Sequence, residues 1–461
     1  MHQIGKRRGA FLNNPARVIV GSFALLIIVG ALVLSLPFCS RSGTFTDLFT
    51  TFFTATSASC VTGLVVVDTH TFWTPFGQGV ILCLIQMGGL GIVTFTTFFN
   101  IALRKRMALH SMKLATESIS AVDLFDTRKL ISSILVITFS CEAIGAVLLG
   151  LTFVPQFGLN GIFYSIFISV SAFCNAGFDP FGFLGEYSSL VPFATNPAVL
   201  IPVAALIIFD GLGFVVWYDV IMFRKSRHLI LHTKVVLITT LLLIVVGTIF
   251  FLVFEWNNPR TMANMDVGTK ISNAFFQSAT TRTAGFNSIS IEGMTSMSKM
   301  LSILLMFIGA APGSTGGGIK VTSFVVIIMT VVSVLKNRSE TIVGRRRIDR
   351  FTVYKALTVT TVALFAVGLA TLTIYFTNDV TDNLDILGIN AMFESVSAFA
   401  TVGLSTGVTA ISNEISRVIL MLTMFLGRVG PISLALSLTA NSSSKNKNKS
   451  QIIPEGKIIV G

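Results

Sequence analysis

Apolar residues gather in eight long stretches, near residues 18–38, 74–101, 130–154, 197–223, 234–256, 299–335, 354–378 and 415–438. A helix of about 20 apolar residues crosses the roughly 30 Å of bilayer hydrocarbon, so each stretch predicts a membrane span. Between the odd and even spans lie segments too polar and too short to cross, which predict re-entrant loops.

Those intervening segments resemble one another. Phe53–Leu64, Phe167–Phe178, Phe275–Phe286 and Phe393–Leu404 align without a gap. In each copy a Phe stands ten residues before a glycine, a small residue stands six before it, and Leu or Phe follows it. With 40 Phe in 461 residues, a chance column of four is on the order of 1 in 10,000, and duplication explains it better. The pattern predicts an all-α membrane protein of four tandem helix, pore-loop, helix repeats around one central pore, with eight spans and four re-entrant pore loops. The expected repeats are 1–129 with the N-terminus, 130–233, 234–353 with an intramembrane loop, and 354–461 with the C-terminal tail.

Non-helical backbone at membrane depth is tolerated where protein buries it or where it lines a water-filled cavity. A ring of backbone carbonyls there replaces the hydration shell of a cation. Turning carbonyls inward from an extended strand requires dihedrals that a β-carbon disfavours, and Gly63, Gly177, Gly285 and Gly403 meet that need. A single such glycine more often serves helix packing. Four at matched depth favour a pathway.

Composition agrees with the bilayer. Only 12% of residues are charged, where soluble domains carry about a quarter. The net charge of +12 would suit nucleic acid on one soluble face, but 25 of the 33 Lys and Arg residues fall in the N-terminus, the segments 104–129, 224–234 and 336–355, and the tail. The positive-inside rule puts those segments and both termini in the cytoplasm of a multi-pass plasma-membrane protein. Acidic residues lean the other way, with Asp47, Asp68, Asp179, Glu186, Glu255, Asp266, Glu292, Asp379, Asp382, Asp385 and Glu414 in expected external segments. The first apolar stretch lacks an A-x-A cleavage pattern and reads as a span rather than a leader.

Candidate chemistry is sparse. The five cysteines, Cys39, Cys60, Cys83, Cys141 and Cys174, have no metal-type spacing. His228 and His232 follow a basic cluster at a membrane exit and read as an interfacial pair rather than a metal site. The Gly313–Lys320 segment lacks the Gly-Lys-Ser/Thr ending of a phosphate-binding loop. Neither a nucleophile with its base nor a metal cluster at depth is evident, so an enzyme is not expected.

The loops Thr62-Gly63-Leu64, Asn175-Ala176-Gly177-Phe178, Thr281 to Phe286 and Thr401-Val402-Gly403-Leu404 resemble the four filter sequences of the Trk/Ktr/HKT superfamily of potassium transporters, over nearly the whole chain. With no extra helix pair before the first repeat, the chain is more similar to the KtrB branch than to the longer TrkH branch. The resemblance implies potassium uptake through a selectivity filter made of Cys60, Val61, Thr62, Gly63, Cys174, Asn175, Ala176, Gly177, Arg282, Thr283, Ala284, Gly285, Ala400, Thr401, Val402 and Gly403. Family members with Ser at the position of Gly63 tend to admit sodium, so Gly63 favours potassium. The resemblance also implies a homodimer with one pore per protomer, docked on a cytoplasmic nucleotide-binding ring (KtrA-like). Sodium is a candidate activator, and no organic cofactor is expected in this chain. A sodium-coupled symporter with alternating access is the alternative, although such transporters usually carry two repeats.

A second repeat marks the even spans: Gly88-Gly89-Leu90-Gly91, Asp210-Gly211-Leu212-Gly213 and Gly427-Arg428-Val429-Gly430-Pro431. The third repeat departs from it. Ala310-Ala311-Pro312-Gly313-Ser314-Thr315-Gly316-Gly317-Gly318 interrupts the span, at roughly 1 kcal/mol per Gly and about 3 for Pro in a helix, so a loop within the membrane is expected. The resemblance makes residues 312–318 a gating loop beneath the filter. Arg428, deep in its stretch, costs at least ~2.5 kcal/mol to insert and is expected to face a cavity or a partner, with a snorkelling side chain as the alternative. The resemblance places it along the pore near that loop. Asp210 is expected to border the cytoplasmic cavity, and Glu142 has no evident role.

Overall fold

A computed structural model of the protein describes residues 15–91, 127–382 and 387–439. The first described segment contains α1 (Pro15–Leu34), α2 (Leu48–Ser59) and α3 (Pro75–Leu90). There follow α4 (Thr127–Phe157), α5 (Asn160–Phe173), α6 (Pro197–Gly211), α7 (Phe214–Ser226), α8 (Leu231–Glu255), α9 (Val267–Thr280), α10 (Ser296–Ile308) and α11 (Val321–Leu335). A small antiparallel hairpin, β1 (Ile342–Val343) and β2 (Arg346–Arg347), leads to α12 (Arg350–Asp382), α13 (Gly388–Phe399), α14 (Glu414–Val429) and α15 (Pro431–Thr439).

Among the described residues, four helices are long and apolar enough to cross a membrane: α1, α4, α8 and α12. Each buries a third or less of its apolar window against the protein. Leu25 and Leu32 on α1, Ile144 and Leu151 on α4, and Leu364 and Phe365 on α12 are exposed, as a lipid-facing surface requires.

Of the other four stretches, 299–335 carries the break expected of it, while 197–223 and 415–438 depart from the expectation of unbroken spans. Residues 197–223 form two helices, α6 and α7, bent by 89° at Leu212-Gly213. Residues 299–335 form α10 and α11 on either side of a non-helical segment, and 415–438 divides at Gly430. The stretch at 74–101 is helical to Leu90; residues 92–101 lie outside the described residues. A glycine at the helix end is common to the three other than 299–335. Gly91, Gly213 and Gly430 adopt φ/ψ of 78°/136°, 84°/150° and 86°/136°, a backbone that side chains with a β-carbon resist.

Four helices, α3, α6, α10 and α14, begin at an N-cap whose side chain accepts a backbone N–H: Thr74, Asn196, Thr295 and Asn413. Each of them packs on the short helix of the following quarter: α3 on α5, α6 on α9, α10 on α13, and α14 back on α2. The last contact closes the circle. Phe53, Phe167 and Phe393 of the aligned Phe column are fully buried, while in the third copy Phe276 takes that place and Phe275 is half-buried. Leu64, Phe178, Phe286 and Leu404, after the glycines, are all buried. Against lipid these side chains gain close packing rather than escape from water.

Candidate functional site

Helices α2, α5, α9 and α13 each run into an extended strand through a C-cap at Cys60, Cys174, Thr281 and Ala400. The negative ends of four helix dipoles therefore surround the start of the strands. Two residues before each aligned glycine the backbone turns left-handed, at Val61 (φ 57°), Asn175 (57°), Thr283 (80°) and Thr401 (50°). At a non-glycine residue this conformation costs of order 1–2 kcal/mol, so the surroundings must hold it.

They do so by hydrogen bonding. The N–H groups of Thr62, Ala176 and Val402 donate back to the carbonyls of Ser57, Ser171 and Ser397 at 2.8, 2.7 and 2.8 Å, and Ala284 donates to Thr280 at 3.0 Å. The Ser57 and Ser397 hydroxyls accept the N–H of Gly63 and Gly403, each at 3.1 Å. The hydroxyls of Ser171 and Thr280 instead donate to the carbonyls of Phe178 and Phe286, at 2.8 and 2.6 Å.

The four glycines meet in a ring. A β-carbon on Gly63 would lie 2.4 Å from the Ala176 carbonyl oxygen, one on Gly177 2.8 Å from that of Ala284, one on Gly285 2.4 Å from that of Val402, and one on Gly403 2.0 Å from that of Thr62. All four also have positive φ, so glycine is required twice over. Among the described residues, no hydrogen bond ends on the carbonyl oxygens of Thr62, Ala176, Ala284 or Val402. Buried carbonyls normally find donors. A ring of bare carbonyls can serve a dehydrated cation.

Residues 309–320 cross the strands where they leave their helices. A β-carbon on Gly316 would meet Thr283 Oγ1, and one on Gly317 would meet Thr401 Oγ1 and the Ala400 carbonyl. Thr315 Oγ1 lies 2.8 Å from the Cys174 carbonyl. Main-chain bonds tie the segment to α6 and its break: Ala311 N–H donates to Gly211 O at 3.0 Å, and Phe214 N–H to Gly313 O at 2.9 Å. Lys320 Nζ donates to the Gly316 carbonyl. Arg428 donates through Nη1 to the Thr315 carbonyl and through Nη2 to the carbonyls of Gly88 and of Gly89, the latter at 2.8 Å. A cavity of about 560 Å³ opens on the other side of this segment, lined by Phe23, Ser314, Lys320, Lys355 and Arg428 among others. Pro312, Gly313 and Gly318 also face it, and Gly318 (φ 72°) lies against Gly309.

The structure thus brings together the four glycine strands, residues 312–318 and Arg428. It keeps the Arg282 side chain, which occupies the column of Cys60, Cys174 and Ala400, buried, with Nε and Nη2 unpaired among the described residues. Glu142 has no role in the sequence reading, and Asp210 is expected there at the cytoplasmic cavity. Glu142 is buried on α4, where Cys174 Sγ donates to its Oε1 at 3.8 Å and to Gln86 Oε1 at 3.5 Å. Asp210 is not at the cavity wall but buried, and it receives Asn175 Nδ2 at 2.8 Å and the Thr315 N–H at 3.1 Å. A charge at membrane depth was the available signal for both. No group of three or more His, Cys, Asp or Glu suited to a metal occurs among the described residues.

The profile of the family described as TrkH, cation transport protein, matches residues 15–449. The chain is 39% identical to the Ktr system potassium uptake protein B of Vibrio alginolyticus, over 94% of this chain and 92% of that one. It is 37% identical to the protein of the same name from Bacillus subtilis, over 92% and 93%. The potassium/sodium uptake protein NtpJ of Enterococcus hirae is 36% identical over 94% and 95%. Among solved structures, the potassium transporter TrkH from Vibrio parahaemolyticus superposes with a TM-score of 0.69 at 17% identity, covering 92% of this chain and 84% of that one.

Proposed function

Because the chain belongs to the TrkH family of cation transport proteins, we propose that it takes up potassium across the plasma membrane through the ring of Gly63, Gly177, Gly285 and Gly403. The observation that carries this reading is the set of four carbonyls beside the glycine ring, from Thr62, Ala176, Ala284 and Val402, that no hydrogen bond within the described residues satisfies. Four neutral carbonyl dipoles held rigidly favour a weakly hydrated cation while leaving it free to depart. The strands from Cys60, Cys174, Arg282 and Ala400 to the glycines form the filter, and the boundaries 1–129, 130–233, 234–353 and 354–461 divide the chain into its four repeats.

In this reading residues 312–318 are the gate and Arg428 its latch. The loop lies across the strands, and a guanidinium beside it repels a cation while holding loop carbonyls. The basic loops put both termini in the cytoplasm, where a nucleotide-binding ring docks on a homodimer and releases the loop. Sodium activates or accompanies the flux in this reading; the Enterococcus relative is named for uptake of both potassium and sodium. The circular packing of four quarters around one axis favours a channel-like route over alternating access between two halves.

The test is ion preference. Gly63→Ser or Gly403→Ser pushes a β-carbon against the neighbouring strand and spreads the ring, so both variants should discriminate less well against sodium in proteoliposome uptake. Unchanged potassium-over-sodium preference in both would remove the filter assignment.

A further inference from the structure

Asp210 sits in the last turn of α6 with its side chain 1% exposed. A carboxylate so buried is tolerable where hydrogen bonds replace its lost water. Its partners come from two different parts of the site. Asn175 Nδ2 donates to Oδ2 at 2.8 Å from the left-handed position of the second strand. The Thr315 N–H donates to the same oxygen at 3.1 Å, and the Thr315 hydroxyl also reaches it, 105 residues along the chain.

The arrangement is particular to the second strand. The same column holds Val61, Thr283 and Thr401 in the other copies, none of which carries an amide for a carboxylate to grip. Loop residue Thr315 is meanwhile held from the opposite side, through its carbonyl, by Arg428. One residue, Thr315, is thus fixed between a carboxylate on α6 and a guanidinium on α14, and the carboxylate also holds Asn175 of the second strand.

We propose that Asp210 is a positioning residue that couples the second filter strand to the loop, so that ion preference and loop opening depend on one another. When the loop withdraws, Asp210 loses both Thr315 donors and keeps Asn175 alone. A carboxylate left under-bonded at this depth must take up water or draw its remaining partner with it. Either change relaxes Asn175, whose left-handed backbone shapes the carbonyls of the second strand. The coupling is reciprocal, since any state of the ring that moves Asn175 alters the grip on Thr315 by the same free energy. The inference rests on the filter and gate assignments above and adds the connection between them.

The experiment compares the full-length chain with Arg428→Ala, Asp210→Asn and the double variant in proteoliposomes at matched protein density, reading rubidium uptake and its inhibition by sodium. Arg428 touches the loop and the end of α3 but, among the described residues, forms no hydrogen bond with a filter strand. Coupling nevertheless requires Arg428→Ala to raise uptake and lower the rubidium-over-sodium preference severalfold together. Asp210→Asn should do both as well, and the double variant should lose no more preference than the larger single loss. Faster uptake by Arg428→Ala with unaltered preference would overturn the coupling and leave the gate standing. No change in either reading would instead count against the gate itself. Preference losses that simply add in the double variant, or an Asp210→Asn protein with normal preference, would also overturn the coupling. Should Asp210→Asn fail to reach the membrane, Thr315→Val takes its place with the same expectations, and Thr315→Ser, which keeps the hydroxyl, should restore most of the preference.

Discussion

Arg428 donates to the main-chain carbonyl of Thr315 across 113 residues of sequence. Its second nitrogen takes the carbonyls of Gly88 and Gly89, at the end of α3 where the helix leaves its last carbonyls without intrahelical partners. One guanidinium therefore caps a helix and latches a loop. Its planar fork permits this, and an ammonium cannot reproduce it.

Removing the latch should open the pathway. Charge-assisted hydrogen bonds are worth about 1.5–3 kcal/mol each, and 1.4 kcal/mol is tenfold in an equilibrium, so Arg428→Ala should raise potassium flux about tenfold or more. Shortening residues 313–317 should act in the same direction. Flux in proteoliposomes at matched protein density separates conduction from expression. Two variants that insert normally and conduct no faster than the parent would return the glycine-rich break to a packing role.

A second expectation concerns glycines outside the ring. A β-carbon on Gly88 would fall 2.0 Å from the Ser59 carbonyl, and one on Gly427 1.7 Å from that of Phe399. These are matched contacts, where α3 and α14 cross the ends of α2 and α13. Gly211 on α6, which aligns with Gly89 and Arg428, meets nothing within 4 Å. Gly88→Ala and Gly427→Ala should each cost about 1–3 kcal/mol or more through overpacking against backbone. Gly211→Ala should be neutral or stabilising by about 0.4–1 kcal/mol. Thermal unfolding in detergent distinguishes the two classes.

A pH dependence follows from His70, in the segment joining α2 to α3. Arg41 Nε donates to its carbonyl at 2.8 Å and Arg41 Nη2 lies 3.3 Å from its Nε2, while the ring packs beside Phe183 at 5.0 Å. Burial first, then the Arg41 charge, hold the imidazole below its ordinary pKa, against a smaller opposing pull from Asp68. The folded protein thus prefers neutral His70. The unfolded chain takes up the proton at about pH 6.5, so stability is fully present above that pH and declines as pH falls below it. Asp68, which accepts the N–H groups of His70, Thr71 and Tyr187, ties this segment to the one following α5, so loosening should begin there. Thermal midpoints at about pH 5 and above pH 7 should differ less in His70→Gln than in the parent protein.

The ring glycines and the broken third even span were legible because each breaks a local rule in the sequence: glycine within a polar segment at membrane depth, and Pro with five glycines inside an apolar run. The left-handed turn two residues before each glycine was not legible. Val61, Asn175, Thr283 and Thr401 share no side-chain chemistry, and the turn is imposed by hydrogen bonds back to the preceding helix. The bend between α6 and α7 was hidden for another reason. Apolar residues continue through Leu212-Gly213, and hydropathy registers composition rather than direction. The partners of Asp210 and Glu142 lie 105 and 32 residues away, beyond the reach of any local pattern.

The serines six residues before Gly63 and Gly403 yield the last prediction. Their hydroxyls accept the N–H of those glycines, each at 3.1 Å, in a fully buried setting. The third strand has Ala279 at this position, and there Thr280, one residue later, binds the Phe286 carbonyl instead. Replacing Ser57 or Ser397 by Ala strands a buried N–H, which costs about 1–3 kcal/mol. That is comparable with the roughly 1–2 kcal/mol of left-handed strain the strand already holds, so the strand should relax rather than stay in register. The carbonyls of Thr62 and Val402 would then no longer be fixed, and a pliant cage discriminates poorly between cations of different size. Ser57→Ala and Ser397→Ala should therefore lower potassium-over-sodium preference severalfold while the protein still inserts. Ala279→Ser adds a hydroxyl that no strand geometry calls for and should leave preference within about twofold of the parent. Competition of sodium with rubidium uptake, measured side by side for the three variants, checks the order. Equal preferences in all three would mean that packing, rather than these hydroxyls, holds the strands.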